Sequence, residues 1–191
     1  RPAGYMGVVG FTPTLGRISR FGLLPRSFSF DIIGVMGRSV ADAALSAAVM
    51  TGPDQRDRAT LKRTPFKLPE QTSEQPPRLL LFEDFYSISS DDVTRHISLA
   101  VKRLEAAGAK VHRARLPVPL DLLISLHTVI LITEASATQA DNLTNHRESF
   151  APGLLSQLDI GSAIPATAYI HTQRLRHRIR LQFEALLKGI D

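Results

Sequence analysis

An α/β fold is what this sequence predicts, and three observations predict it. Residues 78–113 read as strand, helix and strand, residues 39–50 as a capped, alanine-rich helix, and residues 165–188 as a long amphipathic helix. Extended and helical periodicities that follow one another along a chain, rather than separating into blocks, mark the α/β class.

The first 37 residues hold seven of the twelve glycines, with short apolar runs such as Val8-Val9-Gly10-Phe11. Glycines this dense predict tight turns and close backbone approach. Ser39-x-x-Asp42 then reads as a capping box ahead of Ala43, Ala44, Leu45, Ala47, Ala48, Val49 and Met50, and Gly52-Pro53 stops that helix. Residues 53–77 carry five prolines and many charges, which predicts a surface excursion.

Arg78 to Phe82 reads as a short strand. Ser89-x-x-Asp92 predicts the cap of a helix whose apolar stripe is Val93, Ile97, Val101 and Leu104, ending at Gly108. Ala109 to Arg113 starts a second strand, so 78–113 forms a βαβ unit. Residues 121–145 read as one mostly buried helix and 152–165, with Pro152, Gly153, Gly161 and Pro165, as loop. In the helix at 165–188 the expected buried face is Tyr169, Leu175, Ile179, Phe183, Leu186 and Leu187.

The 191 residues suit one domain and include no cysteine, which removes disulfides, a thiol nucleophile and thiolate metal sites. That usage fits a reducing compartment, and a cytoplasmic location is expected. With 23 Lys+Arg against 18 Asp+Glu the formal charge is +5, yet there is no Trp and the basic stretch Arg174 to Arg180 contains no aromatic. The three Tyr and nine Phe are spread along the chain rather than set among the basic residues, so no nucleic-acid partner is expected. The longest apolar run, Leu122 to Thr133, is shorter than a membrane span, so no membrane partner is expected either.

A direct search for chemistry finds little. The six histidines (96, 112, 127, 146, 171 and 177) include no pair three or four apart, and no metal or other cofactor is expected. Gly4-x-x-Gly7-x-x-Gly10 matches neither a dinucleotide loop nor a Walker loop. A GxSxG nucleophile elbow is absent. Read residue by residue, the chain is an α/β piece without a self-contained active site.

Longer runs say more. Gly7-Val8-Val9-Gly10-Phe11-Thr12-Pro13-Thr14-Leu15-Gly16-Arg17-Ile18-Ser19-Arg20-Phe21-Gly22 resembles the "GVVGxKPTxGRxSRxG" run of the amidase signature family, with Thr12 where Lys is usual. Phe28-Ser29-Phe30-Asp31-Ile32-Ile33-Gly34-Val35-Met36-Gly37-Arg38-Ser39-Val40-Ala41-Asp42 resembles its "SxDxxGPMARSVxD", with Val35 and Gly37 replacing Pro and Ala. Gly52-Pro53-Asp54-x-x-Asp57 resembles the "GxDxxD" that follows, and Glu134-Ala135-Ser136 and the helix Tyr169 to Arg176 continue the match.

The resemblance implies an amide hydrolase using a Ser–cis-Ser–Lys triad and an acyl-enzyme, acting on a small-molecule amide. It implies an α/β/α sandwich around a central mixed sheet, incomplete in this chain, so that residues 1–191 form one incomplete amidase domain. Arg1-Pro2-Ala3 is similar to the last three positions of "GGS-[aliphatic]-R-x-P-A". By that register the nucleophile and its partners precede Arg1, and the 191 residues alone are expected to be inactive. A homodimer of the full-length parent is a further expectation.

The same resemblance puts an acyl-pocket side chain on the helix before Glu134, with His127, Thr128 and Leu131 as candidates, and matches Arg176 to an arginine that meets the substrate carboxylate in glutamine-using relatives. Plainer readings stand beside these: His127 as a hydrogen-bonded core histidine, and Arg176 as an exposed or salt-bridged helix arginine. Asp31 reads as a fixer of loop backbone rather than a base. Two alternatives remain for the whole chain. One is the A-type subunit of a glutamine-using tRNA amidotransferase, whose "SNLxRFDGxRYG" run is not matched by Ala137 to Thr144; the other is a non-catalytic amidase-like binding module.

Overall fold

The computed structural model describes residues 2–68 and 75–191. Its contacts divide the chain into two compact units, Arg1–Thr72 and Ser73–Asp191. The class is α/β, with helix predominating. The strands among the described residues form two separate two-stranded sheets, one in each unit, and no larger central sheet.

In the first unit a five-residue helix α1 (Pro2–Met6) leads into β1 (Val9–Phe11), which pairs antiparallel with β2 (Val35–Gly37). Helix α2 (Val40–Met50) begins as expected: Ser39 Oγ accepts from the Asp42 amide at 3.1 Å and Asp42 accepts in return from the Ser39 amide at 3.2 Å. The reciprocal bonds satisfy two amides that the first helical turn cannot pair itself. Small residues let this helix lie close on the hairpin, and Val35, Ala43 and Ala47 form a buried cluster with Val9 and Phe66 packed against it.

Residues 53–68 of the expected excursion are largely exposed but are knitted to the unit: Thr60 is fully buried and Phe66 donates its amide to Thr51 Oγ1 at 2.8 Å. Residues 69–74 of that excursion lie outside the described residues.

In the second unit β3 (Arg78–Phe82) and β4 (Lys110–Ala114) pair in parallel, Arg78 opposite Lys110, with α3 (Asp91–Ala106) between them in sequence. The α3 cap is Ser90 rather than Ser89. Ser89 closes the preceding 3₁₀ turn instead, its hydroxyl donating to the Phe85 carbonyl at 2.8 Å, which leaves Ser90 to receive the Val93 amide. The apolar stripe of α3 exists, but Val93, Ile97 and Leu104 are exposed.

Two further readings are corrected. The helix expected over 121–145 is two helices, α4 (Leu120–Thr138) and α5 (Ala140–Asn145), and α4 is buried at Leu126, Ile130 and Glu134 to Ser136 rather than along its length. Thr133, Ser136 and Thr138 each donate to the carbonyl four residues back, bonds that compete with helical pairing and bend a helix. Residues 152–163 are not loop but helix α6 (Pro152–Ala163). Pro152 stands at its first turn, where the missing N–H costs nothing, and Gly161 is needed for packing.

Helix α4 packs on α6 and on α7 (Ala166–Leu186). The helix runs beyond Leu122 to Thr133 at both ends, and α4 is long and apolar enough to cross a membrane by length and composition. In α7 Ile179 is buried and Tyr169, Leu175 and Phe183 are half-buried, while Leu186 and Leu187 are exposed, so the buried face is shorter than expected.

The α4–α6 crossing turns on Gly161. A Cβ there would fall on the Ile132 carbonyl and the Ser136 hydroxyl, backbone and a fixed side chain that cannot move aside. Gly161→Ala is therefore expected to lower stability by about 2 kcal/mol through overpacking, read as a fall in the denaturation midpoint. An unchanged midpoint would show that the helices do not approach this closely.

Candidate functional site

Two groups of residues carry the features that the sequence singles out, one in each unit.

In the first unit, three carboxylates hold the glycine-rich loops. Asp54 accepts from Ser19 Oγ at 2.8 Å, from the Arg56 amide at 2.9 Å and from the Arg56 guanidinium at 2.9 and 3.1 Å. Asp57 accepts the amides of Arg20 (2.8 Å) and Ala59 (3.0 Å). Asp31 accepts the amides of Arg26 (2.7 Å) and Ser27 (2.9 Å), the loop-fixing role read for it. Thr60 Oγ1 receives the Asp54 amide at 2.7 Å and donates to the Asp57 carbonyl at 2.8 Å, locking the turn between the two acids.

Close approach makes this possible at Gly16. Its φ of +82° suits glycine, and a Cβ there would overlap the Ala59 carbonyl. The Arg20 guanidinium lies 4.7 Å from the Phe28 ring centroid and that of Arg56 lies 4.3 Å from Phe21. Together Arg20, Phe21, Phe28, Asp31, Arg56 and Asp57 line a cavity of about 250 Å³. Both guanidinium groups are engaged by carboxylates or carbonyls, so the cavity is braced rather than charged.

In the second unit the tripeptide Glu134-Ala135-Ser136 is buried where three helices meet. Ser136 Oγ shares its one proton between the Leu158 carbonyl of α6 at 2.6 Å and the Ile132 carbonyl of its own helix at 2.8 Å. Glu134 Oε1 accepts from Tyr169 Oη at 2.6 Å and from Gln173 Nε2 at 3.3 Å, both on α7. Gln173 Nε2 also donates to Tyr169 Oη at 2.9 Å, and Gln173 Oε1 accepts from Arg176 at 3.5 Å. Among the described residues no buried side-chain nitrogen or oxygen lacks a partner.

Of the candidate substrate-binding residues, His127, Thr128 and Leu131 share one strip of α4 by helical spacing. His127 and Thr128 are exposed and Leu131 half-buried, so His127 is not a core histidine. Thr128 Oγ1 donates to the Ile124 carbonyl at 2.9 Å. Arg176, half-buried on α7, belongs to the hydrogen-bonded series that includes Glu134. Sequence reasoning missed Glu134 as a residue in its own right. Its signal was an acid inside an otherwise apolar helix, with Tyr169 and Gln173 four apart on another. The described residues contain no group of three or more acids and histidines placed to hold a metal ion.

Known proteins match this chain along its length. The Amidase family model matches residues 1–191, the entire length. This chain belongs to the amidase family. It is 28% identical over 219 aligned positions to the A-type subunit of the glutamyl-tRNA(Gln) amidotransferase of Chlorobium phaeobacteroides, an alignment covering 100% of the chain and 46% of that relative. It is 26% identical to an amidase of known crystal structure, with a TM-score of 0.83 over 100% of this chain and 40% of the other. A protein solved in a vestigial complex that bears on the origins of an s-triazine catabolic enzyme gives a TM-score of 0.85 at 26% identity, over 100% of this chain and 41% of that one. The chain thus spans less than half the length of these relatives.

The carboxylate frame has a pH signature. The Arg56 guanidinium, the Arg56 amide and Ser19 hold Asp54 well below its ordinary 3.8. A carboxylate depressed in the folded state contributes stability above its unfolded value and loses it as pH falls through the folded one. Asp54 is therefore expected to stay ionised below pH 3.8, followed by its carboxyl carbon shift, whereas normal titration near 3.8 would contradict the assigned bonds.

Proposed function

We propose that this amidase chain forms the signature frame and part of the substrate pocket of an enzyme that hydrolyses a carboxylic amide to an acid plus ammonia or an amine through a serine acyl-enzyme. The observation that carries the reading is that the family runs brace one another. Ser19 and Arg20 of the first run bond to Asp54 and Asp57 of the third. A frame kept this closely supports an active fold, since loops that present catalytic groups need rigid backing.

In this reading the nucleophilic serine, the bridging cis-Ser and the Lys stand ahead of Arg1. Lysine and cis-serine move the proton, the nucleophile attacks the carbonyl, and backbone amides hold the oxyanion. His127, Thr128 and Leu131 form a wall of the acyl pocket, and Arg176 meets a polar or anionic end of the substrate. The run Ala137 to Thr144 differs from that of glutamine-using relatives, which supports a stand-alone hydrolase over an ammonia-releasing one.

The test is an assay of the triad-bearing protein on small aryl and aliphatic amides, with a serine-reactive phosphonate as inhibitor. Hydrolysis blocked by the phosphonate is expected, and no turnover by residues 1–191 alone. Turnover by the 191 residues alone, or a triad-bearing protein that neither hydrolyses an amide nor takes up the phosphonate, would overturn the reading.

A further inference from the structure

The series Glu134, Tyr169, Gln173, Arg176 joins two family runs that are distant in sequence and has a direction built into it. A carboxylate accepts hydrogen bonds and offers none. Tyr169 has one hydroxyl proton, and it goes to Glu134 at 2.6 Å, so the Tyr169 oxygen faces Gln173 as an acceptor at 2.9 Å. Two acceptors therefore confront one end of the Gln173 amide. That end must be the NH₂ group, and Nε2 lies 3.3 Å from Glu134. The carbonyl Oε1 is left turned the other way, where it accepts from Arg176 at 3.5 Å. With the amide reversed, NH₂ would face a guanidinium and carbonyl would face carboxylate, donor against donor and acceptor against acceptor.

We propose that Glu134 is a positioning residue for Arg176. From inside the helix junction it sets the polarity of the Gln173 amide, and that amide, its oxygen 3.5 Å from Arg176 Nη1, biases how Arg176 presents its guanidinium to the anionic end of an amide substrate. The proposal rests on the reading of Arg176 under Proposed function. The carboxylate it bears on is the one that the resemblance assigns to this arginine, and a guanidinium is a planar fork of donors that matches such a planar two-oxygen partner.

The test uses Glu134→Gln in the triad-bearing protein, a near-isosteric change that lets the Gln173 amide turn either way. For an amide bearing a carboxylate, KM is expected to rise about tenfold with kcat moving less than about twofold, the pattern of a lost binding interaction. KM for the uncharged amide of equal length should stay within about twofold. Independently of substrate, the Gln173 side-chain amide protons should exchange slowly in the parent and quickly in Glu134→Gln.

Equal losses on both substrates, or Gln173 protons that exchange alike in parent and variant, would overturn the proposal. Arg176→Ala separates it from the underlying reading. If that change leaves the preference for a carboxylate intact, Arg176 does not bind the substrate, while the proton exchange still decides whether Glu134 orients Gln173. Should Glu134→Gln fail to fold, Tyr169→Phe removes one of the two acceptors and is expected to move the same KM and exchange rates in the same direction by a smaller amount.

Discussion

A carboxylate can be taken out of water only if donors replace the water, and the second unit is arranged around that requirement. Glu134 is buried in α4, and the donors it needs come from α7, where Tyr169 and Gln173 stand one helical turn apart. Two residues on, Ser136 reaches the Leu158 carbonyl of α6. Glu134 and Ser136 thus dictate which face of α4 meets which neighbour. The lateral position of α6 follows from the absence of a side chain at Gly161. Apolar packing supplies the bulk of the adhesion, through Leu126, Ile130, Leu158 and Ile179, but it tolerates sliding and rotation. Directional bonds to buried polar groups do not, so Glu134 ties α4 to α7 and Ser136 ties α4 to α6.

The first unit meets the same need in a different setting. Its strands are only three residues long, and its buried apolar cluster is small. What fixes the loops is a set of acids that take up backbone N–H groups left over by tight turns. Asp31 caps the turn at Arg26 and Ser27, and Asp57 receives Arg20 and Ala59. Asp54 draws in Ser19 and Arg56. The family runs here hold one another in place through their Ser, Arg and Asp residues.

The sequence reveals the alternation of strands and helices, the capping box at Ser39 and the family. The rest was hidden for identifiable reasons. Pro152, Gly153 and Gly161 were read as helix breakers, but the first sits at a helix start, where proline is tolerated, and Gly161 answers to another helix, which no local pattern records. The cap of α3 shifted by one residue because the 3₁₀ turn ahead of it claims Ser89. A one-residue turn at Gln139 divides the helix read over 121–145. For the candidate site, the resemblance pointed to His127, Thr128 and Leu131 as well as to Arg176, and helical spacing places the first three on one strip of α4. That Glu134 links to Arg176 through Gln173 depends on contacts between residues 35 and 39 apart in sequence, beyond the reach of periodicity.

The measurement that tests this account most directly is a double-mutant cycle in chemical denaturation, combining Glu134→Gln and Tyr169→Phe. If the buried carboxylate and the Tyr169 hydroxyl hold α4 to α7, the two changes are coupled by about 1–3 kcal/mol, as befits a charge-assisted bond away from water. Simple additivity of the two losses would contradict it, and the junction would then owe its register to apolar packing alone.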